Sequence, residues 1–397
     1  MIQVWKKSRY THPIIWVFGI VIFFTGCKKE NEPPAVVADK FLVSNTLIGQ
    51  YDKASLISRL SSFPAAAALA QFDIKVYKIT YKTTGTKGEA VTASGALLVP
   101  VTNKALPILS YQHGTIPKSE ESRAPSYYNS GSEIWSAVSL LASTGYVVSA
   151  PDYIGYGASK DLPHPYEHAA TLASTSLDLM RAVKEFCKRE NISLNSKNFL
   201  LGYSEGGYAT LALHKLMEEK YASEFTVTAC APGAGAYDKT AFAKYILNSD
   251  QEVNFISTYV WVLDTYNKIY NINRPYSYYF NEPWATTIQT NLTSEVDKHP
   301  KLLFTPTFRS AILDGMDTQM LAAFKDNDIY DWKPIAPLTL FHGTTDDFVP
   351  FFNSQHAYDA MQAHGALQVK LKPLNGDHYT SIVDYTLQAY SFILSYY

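Results

Sequence analysis

The sequence of 397 residues has few cysteines, no excess of basic residues and no apolar run of the length that crosses a membrane. Three cysteines are too few for a fold held together by disulfides. The 34 Lys and Arg residues are balanced by 36 Asp and Glu residues, which gives a formal net charge of −2. This balance argues against nucleic acid as the main partner, because binding to phosphates requires a basic surface. The 47% of hydrophobic and 18% of charged residues allow a large core and exclude global disorder.

Residues 1–26 have the layout of a secretory signal peptide. Three basic residues precede the apolar run 13–24, which is shorter than the roughly 20 residues that span a bilayer. The segment ends in Phe24-Thr25-Gly26-Cys27, which resembles a bacterial lipoprotein signal in which Cys27 is lipidated. An ordinary signal peptide with an incidental cysteine is the alternative. Residues 27–40 are predicted to form a polar, proline-bearing tether.

Export by this route predicts a protein anchored by lipid to the bacterial cell envelope, on the periplasmic or the outer-membrane side. Removal of residues 1–26 takes away three basic residues and no acidic ones, which changes the formal net charge from −2 to −5. Membrane attachment would then depend on acyl chains and not on a basic surface. Cys187 and Cys230 remain in the exported chain, and buried free thiols are favoured over a disulfide between them.

Strand-like and helix-like patterns alternate along most of the chain, which predicts an α/β fold. Residues 41–70 are predicted to form one or two short helices, and residues 74–83 and 89–99 an antiparallel hairpin. The later predicted strands are 106–111, 146–150, 198–201, 225–230, 337–341 and 369–374; the predicted helices are 134–143, 169–188, 208–217, 354–363 and 382–394. Such alternation predicts a mostly parallel central sheet with helices on both faces.

The alternation stops between residues 233 and 332, where helical periodicity continues without a clear strand. We predict a helical cap inserted into one α/β core formed by residues 41–232 and 333–397. Ten of the thirty residues in 255–284 are aromatic. These rings could line an apolar pocket for an acyl group. The alternative is that they pack the insertion onto the core, which is the expectation for most of them.

The segment Gly202-Tyr203-Ser204-Glu205-Gly206-Gly207 joins a predicted strand to a predicted helix. A serine at such a corner is held in a strained, exposed conformation, and side chains two positions away would collide with it. Gly202 and Gly206 occupy those two positions. The pattern alone is weak, because a glycine-rich turn with serine as the helix cap looks the same. The strand before it and the helix after it favour Ser204 as a nucleophile.

A serine nucleophile needs a base, and the base needs an acid behind it. The segment His342-Gly343-Thr344-Thr345-Asp346-Asp347 supplies acids directly after a predicted strand, 142 residues beyond Ser204. His378 follows the last predicted strand, 32 residues beyond Asp346. It is the one histidine of ten in that position, and its place fits the chain order serine, acid, histidine.

Together these motifs resemble the α/β-hydrolase superfamily, and the layout is similar to its secretory lipase branch. The resemblance covers most of residues 70–397 and implies a serine esterase that needs no cofactor or metal. It assigns the acid to Asp346, with Asp347 as the alternative. Oxyanion donors would be the backbone N–H of Glu205 and that of Thr115 in Tyr111-Gln112-His113-Gly114-Thr115, although that loop could also be a simple glycine turn.

The leading hypothesis is therefore a lipid-anchored hydrolase of carboxylic esters that works through an acyl-enzyme. The substrate would be a small-molecule, lipid or polysaccharide ester. A serine peptidase on the same fold is the first alternative, and a surface lipoprotein that binds without catalysis is the second. The presence of Ser204, Asp346 and His378 together argues against the binding protein, which would not need them.

Overall fold

The computed structural model describes residues 39–60 and 68–397, and elements are numbered within these residues. The predicted signal peptide with Cys27 and nearly all of the predicted tether lie outside the described residues. Within the two described ranges, no helix combines the length and the apolar character that a membrane span requires.

A nine-stranded sheet forms the centre of the fold, in the order β1-β2-β3-β5-β4-β6-β7-β8-β9. The strands are β1 (Leu42–Tyr51), β2 (Ile74–Thr84), β3 (Ala90–Pro100), β4 (Leu106–Gln112), β5 (Val147–Pro151), β6 (Leu194–Tyr203), β7 (Val227–Gly233), β8 (Leu338–Gly343) and β9 (Val369–Leu374). β1, β2, β3 and β5 pair antiparallel, and all pairs from β5 to β9 are parallel. The predicted hairpin is present as β2 and β3, and the predicted mostly parallel sheet is confirmed.

The prediction of helix for the first folded residues is wrong for β1. Leu42–Tyr51 forms an edge strand paired with β2, and within the described residues only Lys53–Ser58 of this region is helical. The register shifts twice along β1, between Leu42 and Ser44 and again between Leu47 and Gly49. Each shift breaks the alternation of apolar and polar residues, so the period of two that identifies a strand is missing from the sequence.

Helices cover both faces of the sheet, as predicted. The described core helices are α1 (Lys53–Ser58), α2 (Ala137–Ser143), α3 (Ala169–Arg189), α4 (Glu205–Lys220), α12 (Phe352–Ala363) and α13 (Ile382–Leu394). Apolar side chains of α3, α4 and α12 pack on one face, and those of α1, α2 and α13 pack on the other. Within the two described ranges, four short 3-10 helices lie in the loops at Lys118–Arg123, Pro125–Tyr127, Glu133–Trp135 and Gly157–Ser159.

The described chain between β7 and β8 forms seven helices and no strand of the sheet. They are α5 (Lys239–Asn248), α6 (Ile256–Ile269), α7 (Tyr276–Tyr279), α8 (Trp284–Thr290), α9 (Pro300–Leu303), α10 (Pro306–Leu313) and α11 (Thr318–Asp326). They enclose a separate apolar cluster. Nine of the ten aromatic residues of 255–284 either belong to this cluster or pack against it. Most of these rings therefore pack within the insertion, in a cluster that also contains Tyr166 and Val349 of the α/β core; Phe255 is the exception.

Cys187 and Cys230 are both buried and carry free thiols. Cys187 lies on α3 and Cys230 on β7. Burial raises the pKa of the Cys187 thiol to about 12, because the thiolate would lose its hydration. Both residues therefore serve the core as small apolar side chains.

Candidate active site

Ser204 occupies a sharp corner between β6 and α4. Its backbone has φ 61° and ψ −125°, a conformation that residues other than glycine seldom adopt. The Ser204 N–H donates to the carbonyl oxygen of Gly233 at the end of β7, which holds the corner in place. A Cβ on Gly202 would lie 2.5 Å from the Gly206 carbonyl oxygen, and one on Gly206 would lie 2.1 Å from the Gln112 carbonyl oxygen. Both glycines are therefore required by close backbone approach, as the sequence predicts.

Ser204, His378 and Asp346 form one continuous chain of hydrogen bonds. The Ser204 Oγ lies 3.0 Å from His378 Nε2, and His378 Nδ1 lies 2.7 Å from Asp346 Oδ2. Because a carboxylate only accepts, Nδ1 carries the hydrogen and Nε2 is left to accept from the serine hydroxyl. Phe348 stacks on the imidazole, with ring centroids 4.7 Å apart and planes inclined by 17°. This contact fixes the orientation of the ring.

The structure selects Asp346 over Asp347 as the partner of His378. The second oxygen of Asp346, Oδ1, accepts from the backbone N–H groups of Phe348 and Val349 at 2.9 and 2.8 Å. Asp347 is exposed and instead accepts from the side chain of Asn254. Burial by itself would raise the pKa of Asp346, but hydrogen bonds from His342 and His378 outweigh it and lower the pKa to about 2. The carboxylate is therefore charged at neutral pH.

The loop after β4, which contains the predicted donor Thr115, passes beside Ser204. A Cβ on Gly114 would lie 3.9 Å from the Ser204 Cβ. The Gly114 N–H is already engaged, because it donates to both carboxylate oxygens of Glu133 at 3.2 Å. Within the described part of the chain, the N–H groups of Thr115 and Glu205 have no hydrogen-bond acceptor. Two backbone donors thus stay available, one on the residue after Ser204 and one on the loop that passes beside it.

The topology explains why these distant residues meet. Ser204, Asp346 and His378 follow the carboxyl ends of β6, β8 and β9, and Thr115 follows that of β4. All four strands run parallel in one sheet, so their carboxyl ends meet at the same edge. Sites of open α/β sheets form at that edge. Helix α4 also begins there and directs its N-terminal N–H groups toward the serine.

Several residues around the site were not predicted. Glu133 also accepts from the Tyr111 hydroxyl at 2.9 Å, so its carboxylate holds both ends of the loop before Thr115. The Tyr203 hydroxyl donates to the carbonyl oxygen of His378 at 2.7 Å. His164, to which the sequence assigned no role, bonds to the side chain of Glu205. No local motif marks these contacts, because each joins segments far apart in the chain.

Among the described residues, no group of three or more His, Cys, Asp or Glu side chains is arranged to hold a metal ion. A cavity of about 440 Å³ lies between α6, the turn of the β2–β3 hairpin and the segment before α3. Trp261, Tyr156 and His164 are among its lining residues, whereas Ser204 and His378 are not. This cavity is therefore adjacent to the site through His164 and is not the place of the reacting atoms.

A family model described as secretory lipase matches residues 128–393, two thirds of the chain. The chain belongs to the secretory lipase family. Ser204, Asp346 and His378 lie within the matched residues, whereas Thr115 precedes them. The chain is accordingly a carboxylic ester hydrolase with the α/β-hydrolase fold, and membership of this family indicates export.

Solved structures agree with this family assignment. A protein from Legionella pneumophila has 26% sequence identity and a TM-score of 0.81, over 90% of this chain and 98% of its own. The rice cell wall degrading esterase LipA from Xanthomonas oryzae has 25% identity and a TM-score of 0.76, over 90% and 99%. Lipase A from Candida antarctica has 15% identity and a TM-score of 0.64, over 91% and 82%, and shows the shared fold. No curated protein sequence matches this chain.

Proposed function

We propose that this secretory lipase family member cleaves carboxylic esters through Ser204, His378 and Asp346 with an acyl-enzyme intermediate. The observation that carries the proposal is the unbroken hydrogen-bond chain from the Ser204 hydroxyl through His378 to the Asp346 carboxylate. A serine hydroxyl is a weak nucleophile at neutral pH and needs a base within hydrogen-bond reach. In the neutral ring the hydrogen lies on Nδ1, which donates to Asp346, so Nε2 can accept the serine proton and His378 is that base.

In the first step the Ser204 Oγ bonds to the acyl carbon while its proton passes to His378 Nε2. The carbonyl oxygen takes the electron pair and becomes an oxyanion. When the tetrahedral species collapses, the bond to the alcohol oxygen breaks and His378 gives its proton to that oxygen. Water then attacks the acyl carbon and passes a proton to His378. The bond from the acyl carbon to the Ser204 Oγ breaks, Oγ takes the proton back from His378, and the carboxylic acid leaves. Asp346 keeps its charge throughout and stabilises the imidazolium.

The oxyanion would be held by the backbone N–H groups of Glu205 and Thr115. Support comes from their lack of acceptors within residues 39–60 and 68–397, and from the engagement of the flanking Gly114 and Ser204 N–H groups elsewhere. Each such donor contributes about 3 to 4 kcal/mol to the stability of the transition state. The dipole of α4 favours negative charge at the same point.

The helical insertion, residues 233–332, is proposed to act as a cap over the acyl group. Phe255, directly before α6, stacks on Phe348 with centroids 3.9 Å apart, and Phe348 in turn stacks on His378. Asn254 donates to Asp347, which joins the same stretch of the cap to the acid loop. These apolar rings next to the base favour an acyl chain as the group bound there.

Labelling by a fluorophosphonate tests the nucleophile directly. The wild-type protein should react with one probe molecule, and the Ser204→Ala variant should not react at all. Failure of both proteins to react would favour the alternative of a surface protein that binds without catalysis. Equal reaction of both would place the nucleophile elsewhere.

A substrate panel separates the ester hydrolase from the serine peptidase. p-Nitrophenyl esters of increasing acyl length should be hydrolysed, whereas aminoacyl p-nitroanilides should not. An acetylated polysaccharide belongs in the panel, because the similar LipA is named as degrading the rice cell wall. Faster cleavage of the anilides would overturn the ester assignment.

Lipid anchoring through Cys27 is proposed on the signal-like segment that ends at this residue. Expressed in a bacterium, the wild-type protein should fractionate with membranes, and the Cys27→Ser variant should not. A variant with Cys187→Ser is the matched control, because this buried thiol should leave fractionation unchanged. Equal release of both wild-type protein and the Cys27→Ser variant into the soluble fraction would show an ordinary signal peptide.

A further inference from the structure

The residue after the predicted nucleophile carries a buried charge-bearing side chain. The side chains of Glu205 and His164 are 1% and 2% exposed, and Glu205 Oε1 lies 2.7 Å from His164 Nε2. The other ring nitrogen, Nδ1, lies 2.7 Å from the carbonyl oxygen of Ile154. The chemistry of ester cleavage described above does not use either side chain.

The two contacts of His164 fix the number of protons on the pair. The carbonyl oxygen of Ile154 can only accept, so Nδ1 carries a hydrogen. A second proton must then lie between Nε2 and Oε1, because two acceptors would otherwise face each other at 2.7 Å. Whether the proton resides on the imidazole or the carboxyl, the pair as a whole has no net charge.

Other groups nearby do not neutralise Glu205. Two buried charged residues that interact with Glu205, Glu167 and Lys239, form an ion pair with each other. The second carboxylate oxygen of Glu205, Oε2, has no hydrogen-bond partner among the described residues. His164 is thus the group that bonds to and neutralises this carboxylate.

We propose that His164 is a positioning residue for ester hydrolysis: it removes the net negative charge of Glu205 and holds this residue so that its N–H faces the oxyanion. The inference rests on the proposed function, since it needs the Glu205 N–H to be an oxyanion donor. A bare carboxylate on the same residue would oppose the negative charge that develops on the substrate, and the opposition is strong in a site with little water.

The same segment also contacts the second proposed donor. Two residues after His164, the Tyr166 hydroxyl lies 3.0 Å from the Thr115 Oγ1. Trp261 of α6 stacks on Tyr166, with centroids 4.3 Å apart and planes inclined by 9°, and meets the His164 ring edge-on at 5.6 Å. A tryptophan of the cap therefore packs against both side chains that hold the donor residues, which ties the position of α6 to the geometry of the oxyanion site.

The experiment compares His164→Ala with the double variant His164→Ala/Glu205→Gln at about pH 8. Turnover of a p-nitrophenyl ester is normalised to the sites that a fluorophosphonate labels after long incubation. His164→Ala should lower kcat about tenfold to 100-fold, which is less than the effect of removing one oxyanion donor completely. KM should change by less than about threefold. The double variant should recover at least about fivefold in kcat, because the amide has no charge.

A boronic acid that forms a tetrahedral anion on Ser204 gives a second readout. Its inhibition constant should weaken in His164→Ala by the same factor as kcat/KM, because both report on binding of the oxyanion. His168→Ala is the matched control, since His168 is similarly buried in the same segment and bonds to Thr171, not to Glu205. Its turnover per labelled site should equal that of the wild type.

If His164→Ala does not fold, His164→Gln replaces it, because glutamine keeps most of the volume and the same rescue by Glu205→Gln is expected. Loss of turnover without any recovery in the double variant would mean that His164 only packs, and would overturn the inference. Wild-type turnover in His164→Ala would overturn it as well. Both outcomes differ from failure of the proposed function, in which the wild-type protein itself would not be labelled at Ser204.

Discussion

Replacement of Asp346 by asparagine is the most informative single substitution, because the structure dictates how the amide must lie. Oδ1 of Asp346 accepts from two backbone N–H groups, so the amide oxygen must occupy that position. The amide NH2 then points at His378 Nδ1, which has to accept. The proton of the neutral ring moves to Nε2, where it faces the Ser204 hydroxyl, and the base can no longer take the serine proton.

The expected loss follows from this change of tautomer. Substitutions that leave the geometry intact but impose the wrong tautomer lower kcat by about 10⁴ in triad enzymes. For Asp346→Asn we expect a loss of about 10³ to 10⁴ in kcat, which corresponds to about 4 to 5 kcal/mol in the activation free energy. The apparent binding of substrate, reported by KM, should change little because neither oxyanion donor moves.

Asp347→Asn is the matched control, because it changes the neighbouring carboxylate in the same way and, among the described residues, affects a hydrogen bond from Asn254. Its kcat should stay within about twofold of the wild type. Both variants are assayed with the same p-nitrophenyl ester and normalised to sites labelled by a fluorophosphonate. Retention of more than a tenth of the activity by Asp346→Asn, or an equal loss in Asp347→Asn, would refute the assignment of the acid.

Three further predictions concern stability and the oxyanion loop. The pKa of Asp346 is lowered from 3.8 to about 2, so its ionisation stabilises the fold above about pH 4. Urea titrations measure the difference in unfolding free energy between the wild type and Asp346→Asn. This difference should fall by about 2 kcal/mol between about pH 4 and pH 2. A difference that stays constant over this range would contradict the prediction. Gly206→Ala should lower the unfolding free energy by about 2 to 4 kcal/mol, since its Cβ would lie 2.1 Å from a backbone oxygen. Gly85→Ala is the control: its Cβ would meet the flexible end of the Glu89 side chain, and the loss should be less than about 1 kcal/mol. Glu133→Gln should lower kcat about tenfold with KM unchanged, because the single amide oxygen cannot accept from both the Gly114 N–H and the Tyr111 hydroxyl. Glu120→Gln on the surface is the control and should have no effect on turnover.

Much of the fold could be predicted because the signals are local. Runs rich in apolar residues identified the mostly buried strands β4 to β8. The partly exposed strand β9 and the final helix were predicted with their observed bounds, Val369–Leu374 and Ile382–Leu394. The corner at Ser204 could be found because strand, glycines and helix are consecutive in the chain. β1 was missed because its pairing with β2 contains two register shifts, and pairing is a property of two segments.

The choice between Asp346 and Asp347 as the triad acid could not be made from the sequence pattern alone. Asp346 and Asp347 are adjacent and chemically identical, so spacing could not separate them without the family resemblance. Tertiary structure separates them by burial: Asp346 points at His378 and receives two backbone N–H bonds, while Asp347 points outward to Asn254. The bond of the Glu205 side chain to His164 was equally beyond prediction, since the two residues are 41 positions apart.

The sequence by itself determined the order of strands and helices after β1, the residue types for ester cleavage and their order along the chain, because each depends on neighbours within a few positions. Only the tertiary structure decided which carboxylate faces the histidine, which N–H groups stay free for an oxyanion and which side chains neutralise and hold them. Those features depend on distances between segments that meet at the carboxyl edge of the sheet, and such distances are set by packing of the whole chain.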